Sequence, residues 1–181
     1  MKGAPARWLA ALWVFASLAL VPAQSADVSE SSVKAAFLYK FAGYVEWPSA
    51  AFASPGAPFV IGVMRDDAVA AELEKLAPGR SIATHPLTVR RLRPGDPVRG
   101  VQLLFIAGDE PDRALVAAAQ QQGALVVTDS PAGLAAGAEI NFVLAEDHVG
   151  FEVSLAAAQR AGHRISSRML AVARRVVQRG G

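Results

Sequence analysis

The segment FVIGVM, residues 59–64, is a continuous apolar run of the kind found in strands that are covered on both faces of a sheet. An amphipathic, helix-like segment follows it at 69–76. Two further apolar strands, at 101–107 and 124–128, flank a predicted helix at 112–122. Buried strands that alternate with helices indicate a mostly parallel sheet with helices on both of its faces.

The last third of the chain departs from this alternation. Residues 140–144 and 150–153 are both strand-like, and too few residues lie between them for a crossover, so we expect an antiparallel hairpin. A last helix is predicted to begin at Ser166 or Ser167 and to extend through Val177. The predicted fold is therefore an α/β three-layer αβα sandwich, whose mostly parallel sheet carries an antiparallel hairpin at one edge.

The N-terminus has the organisation of a secretory signal peptide. Lys2 and Arg7 precede an apolar run at 8–21, and small residues suited to cleavage follow it. This run is shorter than the roughly 20 residues that a membrane-spanning helix needs. We therefore predict a signal peptide at 1–25 and an exported, periplasmic domain at 26–181 that does not span the membrane after cleavage. An uncleaved membrane anchor is the alternative.

The charge and the cysteine content narrow the possible partners. The chain has 18 Lys+Arg and 16 Asp+Glu, and loss of Lys2 and Arg7 with the signal peptide leaves equal numbers of each. This balance argues against nucleic acid as a partner. The chain contains no cysteine, so a lipid-anchored cysteine, a disulfide and a thiolate metal site are all excluded.

Motifs of catalysis and cofactor binding are absent from the sequence. It lacks the G-x-S-x-G elbow of hydrolases, the G-x-G-x-x-G fingerprint and the P-loop. Three histidines stand apart from one another without metal-ligand spacing and are interpreted as loop or capping residues: His85, His148 and His163. We predict a protein that is not an enzyme and has no catalytic residue, metal or cofactor. A metalloenzyme with a metal among Asp66, Asp67 and Asp109 is a further alternative.

Polar residues follow the predicted buried strands, at the sheet edge where open α/β proteins bind ligands. Four of them are candidates for a small-ligand pocket: Arg65, Asp67, Gly108 and Asp129. The acids here are similar in distribution to those of a phosphoacceptor receiver domain, which also needs a lysine at the end of a late strand. All lysines of the predicted mature chain lie instead on predicted helices: Lys34, Lys40 and Lys75. Helix capping explains most of these acids, and the ligand pocket is an alternative function.

The block VKAAFLYKFAGYVEWP, residues 33–48, predicts a first helix capped by Ser29 or Ser31. Four of its residues share one helical face, which we expect to pack on the sheet: Val33, Phe37, Phe41 and Tyr44. Three side chains with apolar bodies and polar tips are candidates for a surface that a partner half buries: Tyr39, Tyr44 and Trp47.

The predicted last helix adds a basic component to this surface. Its apolar stripe consists of Ile165, Met169, Val172 and Val176. Its arginines lie away from that stripe: Arg168, Arg175 and Arg179. Arginines in the last turns of a helix can stabilise it by interacting with the negative end of the helix dipole. Alternatively, they can contact an acidic partner or a membrane surface. Arg168 and Arg175 are therefore predicted partner-binding residues alongside the three aromatic residues.

Five stretches of this chain together resemble the YfiR family of periplasmic regulators. They are KAAFLYKFAGYVEWP (34–48), FVIGVMRDD (59–67), QLLFIAGDE (102–110), LVVTDSPAGLAAGAEINFVL (125–144) and VGFEVSLAAAQRAGHRISSRMLAVAR (149–174). The resemblance implies a non-enzymatic α/β protein, often a homodimer, that binds the periplasmic part of an inner-membrane signalling protein. In the best-known systems this partner is a diguanylate cyclase, held inactive until the regulator is released, which sets cyclic-di-GMP levels and biofilm formation.

One departure from the family and one open alternative accompany this resemblance. Some relatives carry cysteines that form disulfides, whereas this chain has none, so redox control through disulfides cannot operate here. A histidine kinase is the alternative class of membrane partner.

Overall fold

The computed structural model describes residues 29–110, 112–146 and 148–178. The predicted signal peptide at 1–25 and Arg179 lie outside these residues. In the part of the chain that the structure describes, no helix combines the length and the apolar character needed to cross a bilayer.

The structure contains helices and strands in the predicted alternation. The helices are α1 (Glu30–Tyr44), α2 (Asp67–Leu76), α3 (Arg113–Gln121), α4 (Leu155–Ala161) and α5 (Ser167–Leu170). The strands are β1 (Val45–Glu46), β2 (Phe59–Met64), β3 (Ser81–Ile82), β4 (His85–Leu92), β5 (Leu103–Ile106), β6 (Leu125–Thr128), β7 (Ile140–Ala145), β8 (His148–Ser154), β9 (Arg164–Ile165) and β10 (Arg175–Val177).

A large mixed sheet forms the centre of the molecule, with the strand order β10-β8-β7-β6-β5-β2-β4-β3. The strands β4, β2, β5, β6 and β7 are parallel to their neighbours in this series. The predicted antiparallel hairpin is formed by β7 and β8, and β3 is antiparallel to β4 at the opposite edge. A small separate sheet pairs β1 with β9. The predicted α/β sandwich with a mostly parallel sheet is confirmed.

Side chains that alternate along the central strands cover both faces of the sheet. On one face, Ile61 packs in a core cluster with Leu38 of α1 and Leu73 of α2. On the other face, Leu104 packs in a second cluster with Val116 of α3. Because both faces are covered, the central strands read as continuous apolar runs rather than as an alternation of apolar and polar residues.

Helix α1 begins at the predicted cap, since the Ser29 side chain accepts a hydrogen bond from the Ser32 backbone N–H at 3.2 Å. The buried face of the helix differs from the prediction. Its most deeply buried side chains are Ala35, Leu38, Phe41 and Ala42. These positions follow the helical repeat, so residues one position away lie at the border of the buried face. Phe37 is therefore half-buried, and Tyr44 is exposed.

The predicted long last helix is wrong. Helix α5 ends at Leu170, and β10 then adds to the sheet in parallel with β8, so that Val176 is opposite Val153. Two physical reasons favour the strand: β-branched residues suit a pleated surface, and β8 would otherwise be an unpaired edge. The predicted apolar stripe of the helix therefore does not exist. Met169 is buried, whereas Val172 is exposed.

Candidate functional site

The predicted strand-end residues are occupied by contacts within the fold. Asp129 follows β6 and accepts hydrogen bonds from the Gly108 backbone N–H at 2.9 Å and from Lys34 Nζ at 2.8 Å. Lys34 also pairs with Glu30 one turn earlier in α1, at 2.7 Å. The first helix is thus joined to the carboxyl edge of the sheet by a lysine that is only 8 % exposed.

The ammonium group of Lys34 is held in its charged form. Burial by itself would lower the pKa of Lys34, but the hydrogen bonds and charges of Asp129 and Glu30 outweigh burial and raise the pKa above its ordinary value. The sequence predicted that Lys34 lies on a helix and not at the end of a strand. It does lie on α1, and its side chain nevertheless reaches the end of β6.

The other two strand-end candidates lie elsewhere along this edge. Arg65 is exposed, with a backbone φ of 66°, and Asp67 pairs with Arg91 at 2.9 Å. Both line a hollow of about 470 Å³ between the ends of β2 and β4. Asp66, beside them, caps α2 by accepting from the Val69 N–H at 2.9 Å, as the capping interpretation expected. The four predicted ligand residues therefore do not form one pocket.

Two of the three predicted partner-binding aromatics are used inside the fold. Trp47 donates its indole N–H to the Ala42 carbonyl oxygen at 2.7 Å, and its ring lies edge-on to Phe59, with 5.0 Å between ring centroids. Tyr39 is half-buried beneath the guanidinium of Arg80, which lies 5.5 Å from the ring centroid. Both side chains therefore make contacts within the fold.

A buried polar pair stands beside Trp47, and the sequence did not reveal it. Glu139 is fully buried and accepts a hydrogen bond from the Val126 N–H at 2.9 Å, while its second oxygen lies 3.1 Å from His163 Nδ1. His163 lies in the loop between α4 and β9, as expected, but it is buried and contacts Glu139. It connects the segment before β9 to the amino end of the sheet. A single histidine and a single glutamate far apart in sequence give no spacing signal that could have shown this contact.

Tyr44 and Arg168, by contrast, meet in one groove. The antiparallel pairing of β1 and β9 places the end of α1 next to α5, and the Ser166 N–H donates to the Tyr44 carbonyl oxygen at 2.9 Å. The groove has a volume of about 310 Å³. Eight residues line it: Phe37, Lys40, Phe41, Tyr44, Phe151, Arg168, Met169 and Val172. We refer to this set as the α1–α5 groove.

The α1–α5 groove has an aromatic floor and an incompletely covered rim. The ring of Phe37 lies edge-on to that of Phe151 at 5.5 Å, and the ring of Phe41 lies edge-on to Phe151 at 4.8 Å. Above this floor, the side chains of Tyr44 and Val172 are 40 % and 70 % exposed. They are two of the three large apolar side chains that are exposed in the described residues, the third being at position 144.

The two cations of the groove have no ion-pair partner in the described residues, whereas Arg175, which was predicted to act with Arg168, has one. Lys40 and Arg168 are both exposed, and neither forms an ion pair within the described residues. Arg175 instead donates two hydrogen bonds to Glu152 across β10 and β8, at 2.8 and 2.7 Å. These bonds raise the pKa of Arg175. Arg175 therefore lies outside the groove and helps to join two strands.

The family of the chain follows from a comparison with known protein families. The model of the YfiR/HmsC-like family matches residues 31–174. The chain belongs to the YfiR/HmsC-like family. Membership supports a role as a periplasmic regulator. No curated protein shows significant similarity to the chain.

All eight residues of the α1–α5 groove lie within the part of this YfiR/HmsC-like chain that the family model matches, whereas Arg175 lies just beyond it. Sequence reasoning selected Tyr44 and Arg168 but missed Lys40 and Val172 as members of the same surface. The spacing of Phe37, Lys40 and Tyr44 places all three on one helical face, so Lys40 could have been found. Val172 could not, because it was assigned to a helix that does not form.

The described residues contain no group of three or more histidine, aspartate or glutamate side chains arranged to hold a metal ion. The groove itself contains no carboxylate and no histidine among its lining residues. Its lining combines apolar side chains with two cations, Lys40 and Arg168.

Proposed function

We propose that this YfiR/HmsC-like protein is an exported, non-enzymatic regulator that binds the periplasmic part of an inner-membrane diguanylate cyclase and represses it. Binding occurs through the α1–α5 groove. Repression requires only that the protein bind the inactive state of the cyclase more tightly than the active state. One observation supports the proposal most directly. The exposed side chains of Tyr44 and Val172 line the same groove as Lys40 and Arg168, two cations that have no carboxylate partner in the described residues.

Exposed aromatic and aliphatic side chains next to arginine are typical of protein interfaces. A single exposed Val172 would need no explanation, but Val172 and Tyr44 lie on one groove with an aromatic floor. The family membership supports this proposal, because it supports a role in regulation.

The alternative is a small-ligand receptor that uses the strand-end crevice. The contacts of Asp129 count against it, because Lys34 and the Gly108 N–H already use both of its carboxylate oxygens. Arg65 and Asp67 line a different hollow, whose lining includes neither Gly108 nor Asp129, and this also counts against a shared pocket.

Deletion of the gene tests the proposal. If the protein represses a diguanylate cyclase, deletion raises the cellular concentration of cyclic-di-GMP, measured by mass spectrometry, and the wild-type gene restores it. A gene encoding Tyr44→Ala together with Arg168→Glu fails to restore it, because the groove has lost an aromatic side chain and reversed one charge. Circular dichroism of the purified variant checks that it folds.

Arg113→Glu is the matched control. It makes the same charge change at an exposed arginine at the start of α3, in the layer on the opposite face of the sheet, and restores repression fully. Unchanged cyclic-di-GMP after deletion would refute a cyclase partner and favour a histidine kinase. Full repression by a folded groove variant would refute the assignment of the surface.

Two further parts of the proposal have direct measurements. Mass spectrometry of the protein recovered from the periplasm reports whether residues 1–25 have been removed. Analytical ultracentrifugation of the same material reports whether the chain is the homodimer that the family resemblance implies.

A further inference from the structure

Resting on the function proposed above, we infer that the α1–α5 groove takes a short acidic segment of the partner protein, anchored by one large apolar side chain. The inference concerns the chemistry of the occupant. It rests on the size of the groove, the charge around it and the absence of a competing carboxylate among the residues that line it.

The size of the groove limits which side chain of the partner can serve as the anchor. A volume of about 310 Å³ above aromatic side chains accommodates a leucine, phenylalanine or tryptophan side chain, but not an entire helix. Phe37, Phe151 and Met169 give this volume an apolar floor, so burial of the anchor is driven by removal of apolar surface from water.

The positive charge around the groove favours acidic residues next to the anchor in the partner segment. Lys40 of α1 and Arg168 of α5 line the groove from two different helices, so carboxylates that flank an anchor side chain have two cations to meet. Charge-assisted hydrogen bonds from lysine and arginine favour carboxylates over neutral acceptors.

An anionic membrane surface fits these observations less well. Surfaces that bind anionic lipids usually present clusters of about four to eight lysines and arginines. The lining of the groove offers only two cations, Lys40 and Arg168, and its aromatic floor lies below the rim that Tyr44 and Val172 form. A cavity suits one inserted side chain, whereas insertion into a bilayer requires protruding apolar groups.

A second copy of the chain fits less well too. In a symmetric dimer, the same patch on each subunit forms the contact. Such a contact through the groove would bring Lys40 and Arg168 of one subunit close to the same two cations of its partner. Like charges in an interface are unfavourable, so a homodimer of this chain uses a different surface.

Selection from a random peptide library tests the inference directly. The chain, purified as cells produce it, is used to enrich peptides, and peptides retained equally by Arg168→Glu are removed. We expect the remaining peptides to combine glutamate or aspartate with one central aromatic or leucine residue. Arg168→Glu and Tyr44→Ala should each weaken binding of these peptides by roughly tenfold to a hundredfold, and Arg113→Glu should leave binding unchanged. Binding should also weaken as salt is added.

The outcomes separate this inference from the function on which it rests. Enrichment of neutral or basic peptides, or no enrichment that depends on Arg168, would overturn the acidic occupant. Vesicles that contain both phosphatidylglycerol and phosphatidylethanolamine provide the comparison with a membrane. If the protein binds these vesicles as tightly as it binds the peptides, and if this binding also depends on Arg168, the occupant is a membrane surface and the inference is wrong. If acidic peptides bind as expected but groove variants still restore cyclic-di-GMP repression, the chemistry of the groove holds and the proposed function fails. If the peptide result fails and groove variants still lose repression, the proposed function holds and the acidic occupant is wrong.

Discussion

The two ends of helix α1 carry the same type of residue in opposite circumstances. Near its beginning, Lys34 is 8 % exposed and paired with Asp129 and Glu30. Near its end, Lys40 is exposed and forms no ion pair within the described residues. Lys34 therefore stabilises contacts within the protein, whereas Lys40 is available to contact a partner.

The surroundings of the two lysines follow the same division. At the carboxyl edge of the sheet, the polar groups around Lys34 satisfy one another, as Asp129 does for Gly108. In the α1–α5 groove, Tyr44 and Val172 are exposed and the nearby cations are unpaired in the described residues. A buried polar group must find a partner inside the protein, but an exposed one need not. The remaining unpaired groups are therefore the better indication of where a partner binds.

The largest expected change in stability comes from a substitution on the buried face of α1, compared with a substitution in the groove. Leu38 is fully buried, so Leu38→Ala should lower the free energy of unfolding by about 2–5 kcal/mol through the cavity that it leaves. Val172 is 70 % exposed, and Val172→Ala should change the same quantity by roughly 0.5 kcal/mol or less. Urea denaturation measures both. A large loss of stability in Val172→Ala would show that the groove is part of the core.

A smaller effect is expected at the carboxyl edge. Asp129→Ala removes the acceptor of the Gly108 N–H and of the Lys34 ammonium, and should lower the free energy of unfolding by about 1–3 kcal/mol. Asp109→Ala is the matched control, because Asp109 is exposed and its side chain makes no hydrogen bond in the described residues. Equal stability of the two variants in urea would mean that the edge is not held by Asp129.

The charge of Lys34 should appear as a dependence of stability on alkaline pH. Because the pKa of Lys34 is raised in the folded state, its contribution is fully present below the unfolded pKa of about 10.4 and is lost as the pH rises through the folded pKa. We expect the difference in unfolding free energy between the wild type and Lys34→Met to shrink above about pH 10.5. Lys40→Met is the control for loss of a lysine, because Lys40 is exposed and forms no ion pair in the described residues. A difference that is constant through this range would contradict a charged, paired Lys34.

Glycine substitutions in the two regions are expected to have effects of opposite sign. Gly43 lies in α1 beside Tyr44, and an added Cβ would meet no atom within 4 Å, so Gly43→Ala should stabilise the protein by about 0.5–1 kcal/mol. At the carboxyl edge, Gly133→Ala should destabilise it, because a Cβ there would overlap the side chains of Thr128 and Asn141. Thermal unfolding of both variants measures this contrast. Stabilisation by Gly133→Ala would show that the edge has room to relax.

Much of the fold could be predicted because its signals are local. The run at 59–64 forms β2 as expected, and the predicted hairpin forms β7 and β8. Serines and aspartates before apolar helical segments cap them, as Asp66 and Ser154 do. Each of these features depends on residues within a few positions of one another.

The last part of the chain was predicted incorrectly because two local patterns competed there. The residues from Met169 to Val177 satisfy a helical repeat of apolar side chains, but their β-branched members also suit a strand. The open edge of β8 decided between them, since β10 pairs there. The position of that edge is not a property of the local sequence.

The sequence by itself determined the parallel sheet, the helices that cover it and the family, because apolar periodicity and family motifs are read along the chain. It also suggested Tyr44 and Arg168, separately, as candidate partner-binding residues. Only the tertiary structure decided that these two share a groove with Lys40 and Val172, while Trp47 and Arg175 do not. It likewise brought Lys34 to Asp129 across 95 residues. The physical reason is that contacts between distant residues depend on strand pairing and helix placement, which follow from the packing of the whole chain.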